Sequence, residues 1–147
     1  MTTGLGIALT DEIVERVNSA QPSAKPIVVG YVKDGAPKLS LRGSTHVHSP
    51  DQLAIWARKS AGLVEAIAEN PAISLLYRDN EGRTTYVFVG RARVASDDET
   101  RNAVYDASPE FERDHDPDRN GFAVVIDLDS VTGGTVGGTQ VAQKREP

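Results

Sequence analysis

The stretch Leu53–Tyr77, reading LAIWARKSAGLVEAIAENPAISLLY, constrains the fold more than any other part of the chain. Leu53 to Trp56 is an apolar run of strand length, and Arg58-Lys59 follows it as a short basic connection. Leu63, Val64, Ile67 and Ala68 then recur at helical spacing, so a helix is expected from about Ser60, whose hydroxyl serves as N-cap. Asn70-Pro71 stops it, because proline lacks the amide N–H and pushes the preceding residue out of helical geometry. Ile73, Leu75 and Tyr77 resume the alternation of a strand. A strand therefore enters a helix through two cations. Free backbone N–H groups and the positive end of the helix dipole add to those charges, which makes the junction a candidate phosphate site. Gly62 lets a ligand approach the backbone closely, at about 1 kcal/mol of helix stability relative to alanine.

The flanking sequence reads mainly as β-structure. Ile27 to Val32 and Lys38 to Leu41, joined by Asp34-Gly35, form a predicted hairpin. On its second strand Leu39 and Leu41 share one face, so Lys38, Ser40 and Arg42 share the other, where Arg42 can meet solvent, a partner subunit or a ligand. Thr84 to Val94 is a long strand with Gly90 near its middle, the mark of a bulge or sharp coil in a small barrel. Phe122 to Leu128 is the last clear strand, the Gly133-Gly134 and Gly137-Gly138 doublets beyond it read as an irregular tail over 129–147, and Gln143 to Pro147 is expected to be frayed. A short helix after Thr10 is expected to cover one end of the core, and Ser96 with Glu99 opens another as a capping box. The acidic run Phe111–Arg119 reads as a solvent-facing loop or short helix.

Composition removes several functions. A net charge of −5 disfavours general nucleic-acid binding, which wants a basic surface, while local cations can still hold one small anion. The absence of cysteine excludes disulfides and thiolate chemistry. His46 and His48 lie two apart, but with His115 as the one other histidine they make a weak metal signal; two exposed loop histidines and no metal are expected. The glycine doublets do not form a dinucleotide-binding motif. No apolar run has the length of a membrane span and no secretory leader is recognisable, so a cytoplasmic protein that does not enter a membrane is expected. The 147 residues are expected to form one domain.

The order of elements is strand, strand, strand, helix ending in Asn-Pro, strand, long strand, helix, strand. It resembles the split-barrel flavin-binding superfamily that includes pyridoxamine 5′-phosphate oxidase and FMN- and F420-dependent oxidoreductases. The resemblance covers roughly Pro26 to Leu128, and its most specific part is IAENPAISLLY, Ile67 to Tyr77. It implies a mainly β (α+β) fold, a small antiparallel split β-barrel with helical covers and a core over about 26–128. By position it carries the phosphate-contacting arginine of the oxidase's second strand onto Arg42, and an aromatic-threonine pair onto Trp56 and Ala57, so the hydroxyl is lost. The family's serine-arginine-lysine cluster falls on Ala61, Gly62 and Leu63; Arg58, Lys59 and Ser60 stand just before it and would supply phosphate contacts from a shifted position. A lysine of the oxidase meets Val47, so pyridoxamine phosphate oxidation itself is not implied. The implied function is a homodimeric oxidoreductase binding FMN, or F420, in a groove between subunits and exchanging hydride with a small organic substrate. No catalytic acid or base is called for, because such a cofactor carries the redox chemistry. The alternative on the same fold is a noncatalytic protein that binds haem or another small ligand, with His46, His48 or His115 as haem ligand; an empty-grooved structural dimer is a third.

Overall fold

β-Branched and aromatic residues alternating with polar ones build most of the sheet, and the computed structural model describes it over residues 6–58 and 62–147. In chain order the elements are α1 (Asp11–Asn18), β1 (Val28–Lys33), β2 (Ala36–Leu41), β3 (His46–Ser49), β4 (Gln52–Ala57), α2 (Leu63–Glu69), β5 (Ala72–Asp79), β6 (Thr84–Ala95), α3 (Asp98–Ala107), α4 (Glu110–Asp114), β7 (Phe122–Thr135) and β8 (Gln140–Lys144). All pairings are antiparallel. The strands follow the order β2-β1-β5-β6-β7-β4-β3, with β8 added to β7. Among the described residues this path ends at β2 and β3, so the sheet curls into a split barrel without closing. The curl has a local cause at Gly90, where the β6–β7 register shifts and an added Cβ would run into the Asp127 carbonyl.

Two cores lie on opposite faces of the strands. Ile27, Val29, Leu53, Ile55, Leu75, Phe88, Ile126 and Leu128 fill the barrel with α1 and α2, through Ile13, Val17, Leu63 and Ile67. Ala54, Trp56, Ala123 and Val125 form a second cluster with Val104 and Tyr105 of α3. β4 is covered on both faces by these clusters, which is why its sequence is a continuous apolar run rather than an alternating one. The other outer face is different. Across β2-β1-β5-β6 the register aligns Leu41, Val28, Leu76 and Val87 in one row and Leu39, Gly30, Ser74 and Val89 in the next. Leu39 is 77% and Leu41 63% exposed, and Leu76, Val87 and Val89 are exposed beside them.

Four local expectations are corrected. The cap of α2 is Gly62 in a left-handed conformation with no side-chain capping bond, so the helix starts at Leu63 rather than near Ser60. The cap of α3 is Asp97, whose carboxylate accepts from the Thr100 amide, one residue beyond Ser96. The segment 129–144 is not irregular: β7 runs on to Thr135, and the glycines at 133 and 134 fit β7 against β6 and β8 where a Cβ would meet backbone. β8 reaches Lys144, and the Arg145 amide donates to Asp129, so the expected fraying from Gln143 is not found. Among the described residues no helix is long and apolar enough to cross a membrane.

Candidate functional site

Arg42 follows directly on β2, and its position is fixed by the backbone on both sides. Its amide donates to the Ile27 carbonyl at 3.0 Å, and its own carbonyl accepts from the Thr45 hydroxyl at 2.8 Å. The guanidinium Nε donates to Ser40 at 3.0 Å, so Arg42 and Ser40 do share a face. Two residues on, buried Ser44 acts as a substitute strand partner for β4. Its Oγ donates to the Trp56 carbonyl and accepts from the Trp56 amide, both at 3.0 Å. This staple ties the Arg42 turn to the end of β4, which carries Trp56 and then Arg58.

The two chain segments and α4 enclose a cleft of about 300 Å³ lined by Leu41, Arg42, Gly43, Ser44, Trp56, Arg58 and Glu112. Three of the five residues expected at a cofactor site, Arg42, Trp56 and Arg58, therefore meet in one place. The other two, Lys59 and Ser60, lie outside the described residues. Arg58 is 47% exposed and pairs through Nη2 with Glu112 Oε1 at 3.4 Å. Among the described residues Arg42 has no carboxylate partner.

Trp56 is a wall of the cleft held from behind. It is 5% exposed; Tyr105 meets it edge-on at 5.1 Å, and the Arg101 guanidinium lies 5.2 Å from its ring centre. Its indole N–H donates to Asp116 at 2.9 Å, and the same carboxylate accepts the amides of Asn120 and Gly121 at 2.9 and 2.8 Å. Burial pushes the Asp116 carboxyl up, but the bonds from Trp56, Asn120 and Gly121, with the charge of Arg58, outweigh it and hold the group below the usual carboxylate range. Asp116 is thus a buried anchor within a run that reads as solvent-facing. Gly121 is fitted to this arrangement, since a Cβ there would crowd the Ala57 carbonyl, the indole nitrogen and Asp116.

The histidines occupy other places. His46 is buried in β3 instead of exposed in a loop, and its Nδ1 lies 2.7 Å from the Ser44 carbonyl, which fixes that nitrogen as the N–H. Its Nε2 is buried without a partner. Burial is the main cause that pushes its pKa down, with a smaller contribution from His48, so the ring is neutral near pH 7. His48 is half-buried, and His115 is exposed against Phe111. None of the three lines the cleft. Among the described residues no three His, Asp or Glu side chains are grouped to hold a metal ion. Ser44, Glu112 and Asp116 are the site residues that sequence reasoning missed. Their only signal is a serine two residues after Arg42 and an acidic run whose break at Pro117 reads as a loop.

No protein-family model matches the chain, and no curated protein matches it in sequence. Solved structures do match it. The HupZ protein of Group A Streptococcus superposes with a TM-score of 0.69 at 14% identity, covering 95% of this chain and 98% of that one. A Clostridium acetobutylicum protein related to general stress protein 26, of the pyridoxinephosphate oxidase family, gives 0.66 at 15% identity over 92% and 96%. A NimC/NimA family protein from the same organism gives 0.68 at 14% identity over 88% and 90%. The architecture is that of the pyridoxamine 5′-phosphate oxidase-like split barrels, as the resemblance in sequence implied.

Proposed function

We propose that this protein is a homodimeric flavin or deazaflavin oxidoreductase that holds the phosphate of FMN, or of F420, in the cleft of Arg42 and Arg58. The observation that carries the reading is the meeting of these two arginines, each just past the end of a different strand, beside buried Ser44 on a split-barrel fold. The donor set fits a phosphate: a guanidinium presents planar, charge-assisted donors, and two of them approaching one concavity suit an oxyanion. Lys59 and Ser60, next in sequence to Arg58, would add donors. Trp56 gives the cleft a rigid back wall.

A volume of about 300 Å³ lies at the lower end for ligand sites, roughly 300–1,000 Å³. It would suit the phosphate end of such a cofactor. Leu41 belongs both to the cleft and to the exposed apolar face of β1, β2, β5 and β6. A contiguous apolar face of this kind is where a protein partner sits, and a second copy docked there supplies the other wall of the groove. The bound cofactor would exchange hydride with a small organic substrate; the chain's own residues bind it, orient it and exclude water.

Titrating the purified apoprotein with FMN and with F420 tests the reading, with the absorbance of the bound species as the signal. Micromolar binding of one of them is expected. Failure of both to bind, or purification with a Soret band, refutes it and favours a haem-binding role on the same fold.

A further inference from the structure

Glu112 introduces a feature that a simple phosphate site would not have: the cleft already contains a carboxylate. Its Oε1 pairs with Arg58, and its Oε2 lies 2.7 Å from where a side chain on residue 43 would begin. The Gln21 side-chain oxygen stands equally close, at 2.6 Å, so a side chain at position 43 would displace both ends from the space beside the cleft. The Glu112 side chain is 15% exposed, whereas that of its partner Arg58 is 47% exposed. The carboxylate is therefore drawn into the cleft, and the arginine keeps a free side toward solvent.

The element that carries this glutamate is lightly held. α4 has five residues, none of them buried, its cap at Pro109 makes no side-chain bond, and the Tyr105 hydroxyl of α3 donates to its Arg113 carbonyl at 3.2 Å. Phe111, its one large apolar residue, is exposed. Asp116, by contrast, is anchored by three hydrogen bonds just beyond the helix. A small rotation of α4 about that anchor would withdraw Glu112 at the expense of the Tyr105–Arg113 hydrogen bond, while the bond from Trp56 to Asp116 stays in place.

We infer that Glu112 is an internal competitor for the cofactor's phosphate, and that α4 is a gate which opens when an entering phosphate takes Arg58 from it. A phosphate beside an unmoved Glu112 would face like charge at close range, and that repulsion is strong away from bulk water. Anion binding and withdrawal of Glu112 are therefore coupled, and any change that neutralises Glu112 favours the anion. The same device sets specificity. A ligand without phosphate leaves the Arg58–Glu112 pair intact and gains nothing from its removal.

The inference rests on the proposed phosphate site, and its test separates the two. FMN and riboflavin, which differ by the phosphate, are titrated into wild type and Glu112→Gln. The glutamine is expected to tighten FMN about tenfold and to leave riboflavin unchanged. Glu112→Ala repeats the measurement without a side-chain amide, and an unchanged melting temperature shows that either variant is folded. If FMN binds wild type, weakens on Arg42→Ala, and is unchanged or weakened by both Glu112 variants, the gate is overturned and the phosphate site stands. If neither FMN nor F420 binds any form, the phosphate site fails, and the gate fails with it.

Discussion

Replacing Asp116 by alanine removes the acceptor on which the back of the cleft is built. The indole N–H of Trp56 and the amide of Gly121 donate to it in buried surroundings at 2.9 and 2.8 Å, and the Asn120 amide donates at 2.9 Å from a partly exposed position. A buried donor left without a partner costs about 1–3 kcal/mol. Two such donors give about 2–6 kcal/mol, and the third regains a water molecule, so a loss of about 4 kcal/mol is expected. At roughly 2–4 °C per kcal/mol for a domain near this size, the melting temperature drops by roughly 8–16 °C. The two buried donors share Oδ2, so Asp116→Asn, with its carbonyl oxygen at that position, keeps an acceptor for both and should lose less than the alanine. The pH dependence has a definite sign. The folded carboxyl lies below its ordinary value because its hydrogen bonds and Arg58 outweigh the opposing effect of burial. Its stabilisation is therefore complete above the unfolded value, near 3.9, and is lost as the pH falls through the folded one. Urea unfolding of wild type, Asp116→Ala and Asp116→Asn between pH 3 and 7 measures both effects. A loss under about 1 kcal/mol for the alanine, or an asparagine deficit that widens below pH 4, would refute the reasoning.

His46 and the exposed face yield two further predictions. Because burial lowers the pKa of His46, the unfolded chain binds a proton that the folded one resists. Wild-type stability should begin to fall as the pH drops below the unfolded value near 6.5, and His46→Gln should flatten that slope in melts from pH 7.5 to 5. Leu41→Asp places a charge on the exposed face of β2 without touching either core. Sedimentation should show a dimer for wild type and a monomer for the variant; identical masses would remove this face as the interface.

What was legible in the sequence follows the strength of local signals. β5 and β6 alternate clearly, β1 and β2 flank the Asp34-Gly35 turn, and Asn70-Pro71 and Gly90 punctuate the chain where the structure needs them. The final ladder was not legible, because Gly133 and Gly134 depress strand propensity while the close approach of β6 and β8 is what requires glycine there. His46 was misread because four residues of β3 are too few to show a period, and its burial depends on pairing with β4. At the site, Arg42 and Arg58 were accessible as cations near strand ends. Glu112 and Asp116 were not, since an acidic run looks solvated until the fold turns one carboxylate toward Trp56 and another toward Arg58.

The most direct test of the phosphate cleft is the FMN dissociation constant of wild type beside that of Arg42→Ala. Arg42 is pinned by its backbone and bonded through Nε to Ser40, so alanine there removes a charge from the cleft while both cores stay intact. A charge-assisted hydrogen bond contributes about 1.5–3 kcal/mol, which predicts micromolar binding by wild type and an affinity about ten to a hundred times weaker in the variant. Equal affinities would contradict the account, because a phosphate held in this cleft must touch Arg42.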